Sequence, residues 1–177
     1  FIEGMYVPDA NRMTAGDTVT AFLRDHFPPY EILDSAVTLL DSSGNAFFRF
    51  HRDSPPYPTC CKLLTVKHRN SVETWSAGPI DNGSHDLVYD LTLSASSAFG
   101  NNLVQVDNSP PRFAVYSGDT DGDGAIDGSD VSAVDNDAAN FSGGYLVTDL
   151  TGDRFVDGTD FLIADNNAAN FIGVIRP

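Results

Sequence analysis

A chain of 177 residues, 41% of them hydrophobic, is long enough to bury a core as one large domain or two small ones. Its formal charge of −15, with a pI near 4.2, argues against nucleic acid and anionic membrane surfaces as partners. No apolar run approaches the about 20 residues of a membrane helix, so no membrane insertion is expected.

Starting at Phe1 without a basic and then apolar leader, the chain fits a mature product after signal removal or a fragment, and the mature secreted product is the expectation. Its N-terminal half reads as short strands separated by turn chemistry. Strand candidates fall at 2–7, 18–23, 32–40, 46–50, 63–68, 72–75 and 87–93, several with apolar residues at every second position. Val19, Ala21 and Leu23 share one face in this way. Breakers lie between the candidates at Pro28-Pro29, 42–45, Pro55-Pro56 and 81–83. The spacing predicts an antiparallel β-sandwich, Ig-like or prealbumin-like, over 1–112. An apolar first segment, 1–7, has the character of a strand that completes a neighbour's sheet edge.

Cys60 and Cys61 are adjacent, and neighbouring strand residues point to opposite faces, so a loop-closing bridge between them is not expected. One packed and one incidental thiol, or a bridge between molecules, both remain open. His26, His51, His68 and His85 sit in no nucleophile or metal motif, and His68-Arg69 reads as a surface or turn pair at a strand end. No enzyme is expected. Asn82 and Asn140 satisfy the N-x-S/T acceptor rule. Trp75 reads as a core or sandwich-edge residue, and with Tyr57 it offers little for a sugar platform.

The composition changes after Pro110-Pro111, where acids cluster and an internal repeat appears over 113–177. Nearly all the chain's acids are aspartates, which suit tight oxygen cages and helix caps better than glutamate does. Two copies stand at a constant offset of 30 residues, Asp119 to Phe141 and Asp149 to Phe171. A twelve-residue calcium loop supplies ligands from positions 1, 3, 5, 7, 9 and 12. In the first copy these are Asp119, Asp121, Asp123, the carbonyl of Ala125, Asp127 and Asp130, with Gly124 at the sharp turn of position 6. The second offers Asp149, Thr151, Asp153, the carbonyl of Phe155, Asp157 and Asp160. Thr151 replaces a carboxylate there and Arg154 replaces the glycine, so the second Ca²⁺ site is expected to be the weaker. Carboxylates about 5 Å apart repel by about 3 kcal/mol per pair at an effective dielectric near 20. A divalent ion converts that repulsion into folding free energy.

At position 8, Ile126 and Val156 are expected to be buried and to pair backbone to backbone. Apolar residues then recur at helical spacing, Val131, Val134, Ala138 and Phe141, and Phe161, Ala164, Ala168 and Phe171. Two short amphipathic helices should pack on each other.

A loop followed by a single helix, repeated, with aspartate at position 12, resembles the type I dockerin over about 60 residues. The resemblance implies two Ca²⁺ sites, a compact two-helix core, an extracellular location and, in some members, binding to a cohesin. Dockerin residues at loop positions 10 and 11 touch the cohesin, and here these are Gly128-Ser129 and Gly158-Thr159. The tails 135–141 and 165–171, with the segment 68–75, are similar to the C-terminal regions of large secreted surface proteins of Bacteroidetes and related bacteria. In those a β-sandwich precedes a dockerin-like pair. The function expected is therefore non-enzymatic assembly at the cell surface, through self-association or other surface proteins, with cohesin docking as the alternative.

Overall fold

A computed structural model describes residues 1–50, 62–80 and 88–177. His51, Pro55-Pro56, Tyr57, Cys60, Cys61, His85, Leu87 and the breaker and acceptor site at 81–84 lie outside the described residues. The chain is mainly β, with several antiparallel sheets and two helices. The strands are β1 (Tyr6–Val7), β2 (Arg12–Met13), β3 (Asp17–Asp25), β4 (Ile32–Leu40), β5 (Lys62–His68), β6 (Thr74–Trp75), β7 (Val104–Asn108) and β8 (Pro111–Ala114). The helices are α1 (Gly128–Ala139) and α2 (Gly158–Ala169).

The main sheet has the order β4-β3-β5-β6, all antiparallel, with β3 at its centre. Alternation fixes the faces of β3: Val19, Ala21 and Leu23 are buried, while Thr18 is exposed. β1 pairs β2, and β7 pairs β8, each as a separate two-stranded ribbon. The core gathers Ile2, Met5, Met13, Val19, Leu40, Ala98, Leu103 and Val115. A second cluster, Val134, Leu150, Val156 and Ala164, lies between the helices.

Several expected strands take other forms. Of 2–7 only Tyr6–Val7 is a strand, and Ile2 bridges Val115 in parallel. Ile2 and Met5 are each 1% exposed, so this segment fills its own core and is not presented to a neighbour. Residues 46–50 form no strand. Ala46 and Phe48 alternate because they pack on the core, and period-two burial needs no ladder partner. Residues 88–93 bend because Asp90 Oδ1 accepts from both the amide and the hydroxyl of Thr92, at 2.7 Å each. The hairpin β7–β8, with Gln105 opposite Phe113, was not foreshadowed by the sequence pattern.

The helical repeat meets the sheet along a polar seam. An ideal side-chain carbon on Gly4 would fall 2.4 Å from the Leu150 carbonyl oxygen, so only glycine permits the approach. Asn70, fully buried in the turn after β5, donates from Nδ2 to the carbonyls of Val147 at 2.9 Å and Asp149 at 3.0 Å. Arg69 donates to the carbonyls of Leu146 and Asp149 and to Asp17 Oδ2. Of this strand-end pair, His68 is buried and Arg69 half-buried, both in the seam and not on the open surface. His68 Nδ1 lies 2.9 Å from Asn70 Oδ1, and its Nε2 lies 3.0 Å from Asp17 Oδ2, off the line of a hydrogen bond. Trp75 is buried, with Arg24 over its ring at 4.7 Å.

Candidate metal centre

The first loop is shaped by its own aspartates. Asp121 Oδ1 accepts from the Asp123 amide at 3.1 Å, and Asp123 Oδ1 from the Ala125 amide at 2.8 Å. Each is an aspartate turn two residues long, the conformation for which this side chain is suited. Gly122 and Gly124 take the left-handed conformation between them, at φ of 78° and 96°.

The loop then enters α1 through a capping box. Asp127 Oδ1 accepts from the Ser129 amide at 2.8 Å and from its hydroxyl at 2.6 Å, while Asp130 Oδ2 accepts from the Asp127 amide at 2.9 Å. Those bonds to Ser129 lower the Asp127 pKa. Asp130 is 1% exposed, and its Oδ1 also takes the Thr120 amide at 2.7 Å, the Thr120 hydroxyl at 2.9 Å and the Asp121 amide at 3.3 Å. One carboxylate therefore ties the start of the loop to the start of the helix.

Of the six expected contributors, the structure brings three carboxylates together. Ligand oxygens from Asp119, Asp121 and Asp123 all lie within 4.8 Å of one another, and among the described residues this is the one such group of three. Asp119 is 1% exposed and both its carboxylate oxygens lack a hydrogen-bond partner. Burial pushes its pKa up; the Lys67 charge and the nearby Gly124 and Gly122 amides oppose this without making well-formed hydrogen bonds. A buried, unpartnered carboxylate beside two others is costly by itself. Oxygen-only donors suit a hard divalent cation such as Ca²⁺ or Mg²⁺. Asp127 and Asp130 are engaged in the cap.

The second loop repeats the scaffold with altered chemistry. Asp149 Oδ1 accepts from the Gly152 amide at 2.8 Å and Oδ2 from the Arg154 amide at 3.0 Å. Asp153 holds the Phe155 amide at 2.8 Å, and Asp157 the Thr159 amide at 2.7 Å. Asp160, fully buried, takes the Leu150, Thr151 and Asp157 amides. Thr151 leaves Asp149 and Asp153 as the carboxylates of positions 1 to 5, and Arg154 adopts φ of 72°, an uncommon conformation for a residue with a Cβ. Arg69 Nη2 stands 4.0 Å from Asp149 Oδ2. Burial raises the Asp149 pKa, which the Arg154 and Gly152 amides oppose.

Ile126 and Val156 are buried as expected, but they do not pair with each other. The Ile126 amide donates to the Ile172 carbonyl at 2.8 Å, and the Val156 amide to the Ser142 carbonyl at 2.9 Å. Val174 donates to Gly124 and Gly144 to Arg154, at 2.7 and 2.9 Å. Each loop is closed by the segment that follows the other helix. The competition is between two near-equivalent edges, and the post-helix segments win because each helix delivers its tail to the opposite loop.

Val131, Val134 and Ala138, and Phe161 and Ala164, face the shared interior as expected. Phe141 and Phe171 do not. They lie past the helix ends at φ of 52° and 54°, and are 75% and 92% exposed. Sequence reasoning also missed Lys67, Arg69 and Asn70 as partners of the loops. Lys67 Nζ donates to the Gly122 carbonyl at 3.1 Å. Asn140 is exposed, with its amide bonded to the Asn136 carbonyl at 2.8 Å. No family model, curated protein or solved structure matches this chain.

Proposed function

We propose that the chain is an extracellular, non-enzymatic, calcium-stabilised structural protein that packs with copies of itself or other surface proteins into a filament or scaffold. On this reading an Ig-like or prealbumin-like sandwich is joined to a dockerin-like pair of calcium loop-helix units. The observation that carries it is the buried, unpartnered Asp119 carboxylate set against Asp121 and Asp123. An ion there supplies the missing partner, and millimolar extracellular calcium suits modules of modest affinity. The second site, at Asp149, Thr151, Asp153, Phe155, Asp157 and Asp160, binds more weakly.

The assembly part rests on β4, an edge strand of the main sheet with Val37 66% and Leu39 62% exposed. An alternative is a module that docks a secreted protein onto a cohesin, favoured by the exposed Phe141, Phe171 and Leu162 of the repeat. Calcium-dependent capture of a cohesin at low protein concentration selects that alternative.

Thermal melting tests the ion. Calcium at about a hundred times its Kd contributes about 2.7 kcal/mol, which for a chain of this size raises Tm by about 5 to 10 °C. D121N should lose most of that gain. A Tm that ignores both calcium and chelator overturns the calcium reading. Electron microscopy with and without chelator tests assembly, and a monodisperse, calcium-insensitive monomer at high concentration counts against it.

A further inference from the structure

The end of β5 sends two cations, two residues apart, to the two loops. Arg69 reaches the second, where its guanidinium is fixed by Asp17 and by the carbonyls of Leu146 and Asp149. Lys67 reaches the first. Its ammonium donates to the Gly122 carbonyl at 3.1 Å, its one hydrogen bond among the described residues, and lies 3.4 Å from where a Gly122 side chain would begin. Gly122 sits between Asp121 and Asp123, and the Lys67 charge acts on the buried Asp119 carboxyl, although among the described residues no carboxylate oxygen lies within 4.0 Å of the ammonium. It is a mobile charge on a flexible stem, unlike the clamped Arg69.

We infer that Lys67 is a tethered counter-cation of the first loop, which partly neutralises Asp119, Asp121 and Asp123 and against which a divalent ion must compete. The inference rests on the calcium reading above. The lysine attracts the loop's carboxylates with or without an ion, so that attraction cancels; a neutral side chain at position 67 removes a repulsion that only the ion-bound loop suffers, and this favours the ion. A unit charge about 7 Å from a divalent ion, at a dielectric near that of water and at low salt, changes affinity about threefold to tenfold, and about twofold at ordinary salt. The sheet therefore sets the calcium affinity of a loop that belongs to another part of the chain, and it does so through one side chain.

The test is calcium titration by calorimetry on the full chain, comparing wild type, K67M, K67Q and K67R at low salt and at about 0.5 M salt. The tighter site is assigned to the first loop by its loss in D121N. Methionine keeps most of the aliphatic stem, so packing is preserved while the charge is removed. K67M and K67Q should bind calcium about threefold to tenfold more tightly than wild type at low salt. The gain should shrink at high salt, and K67R should match wild type. A purely structural role predicts weaker binding in all three variants. Affinity that is unchanged or weakened in K67M and K67Q, or K67R behaving like them, overturns the inference while leaving the calcium reading standing. A wild type that takes up no calcium overturns both.

Discussion

Arg154 shows how a single residue marks the divergence of two repeated loops. It occupies the place of Gly124 and holds the same left-handed backbone, at φ of 72° against 96°, with a side chain that disfavours it. Such a conformation costs about 1 kcal/mol or more outside glycine. R154G should therefore stabilise the chelated protein by about 0.5 to 1 kcal/mol in urea unfolding, the native conformation being one that glycine adopts freely. Little or no gain would mean that the glycine's extra freedom in the unfolded chain offsets the relief. Phe141 and Phe171 share that backbone region at equivalent places, each exposed beyond its helix. Their periodic spacing with Ala138 and Ala168 reads as helix because the side chain's character says nothing about where hydrogen bonding stops.

At the scale of elements, the two capping boxes decide more than helix length. Asp130 serves three backbone amides and one hydroxyl while buried, and Asp160 serves three amides. Removing such a carboxylate strands several buried donors, each costing about 1 to 3 kcal/mol when unpaired. D130A should lose about 2 to 4 kcal/mol of stability in urea even with chelator present. D123N, whose side chain is exposed and holds one amide, should lose far less in chelator and show its effect only with calcium. Equal losses in the two variants would mean that Asp130 acts chiefly on the ion. The aspartate ladder of each loop was legible in the sequence because its contacts span two to ten residues. The pairing of each loop with the opposite tail was not, since Ile126 and Ile172 are joined only by the fold. Strands 18–23, 32–40 and 63–68 were legible for the same local reason, lying within β3, β4 and β5. The alternation at 46–50 misled because core packing produces it without a ladder.

Across the whole molecule, the seam between sheet and repeat is governed by two carboxylates of opposite tendency, the buried Asp17 and the half-buried Glu3. Burial raises the Asp17 pKa, but contacts with His68, Tyr145 and Arg69 and the Thr18 amide outweigh it and hold the group well below the usual range. Glu3 goes the other way, because burial outweighs its bonds from the Ser117 amide and Asn167. A depressed carboxylate stabilises above its unfolded pKa, and the gain is lost as pH falls through the folded value. A raised one favours the fold at low pH and loses that advantage as pH climbs through its folded value. In chelator, urea midpoints should therefore fall on acidification below about pH 4, and the Glu3 contribution should decline as pH rises from the ordinary carboxylate range through its raised folded value, then level off. D17N should flatten the acid limb and E3Q the other; unchanged limbs would remove these groups from the seam's energetics. None of this seam was legible, because its partners lie far apart in sequence: Tyr145 to Asp17, Asn70 to Val147, Asn167 to Glu3.

The crosswise closure of the loops also imposes an order on synthesis. The first aspartate turn emerges early, yet its backbone edge stays open until Ile172 and Val174 have been made and both helices have swung round. The segment that finishes the earlier half is thus the later half's own tail, and trimming a few residues beyond α2 would damage the loop most distant from the cut. Neither copy can mature alone, so the duplicated halves form and fail together.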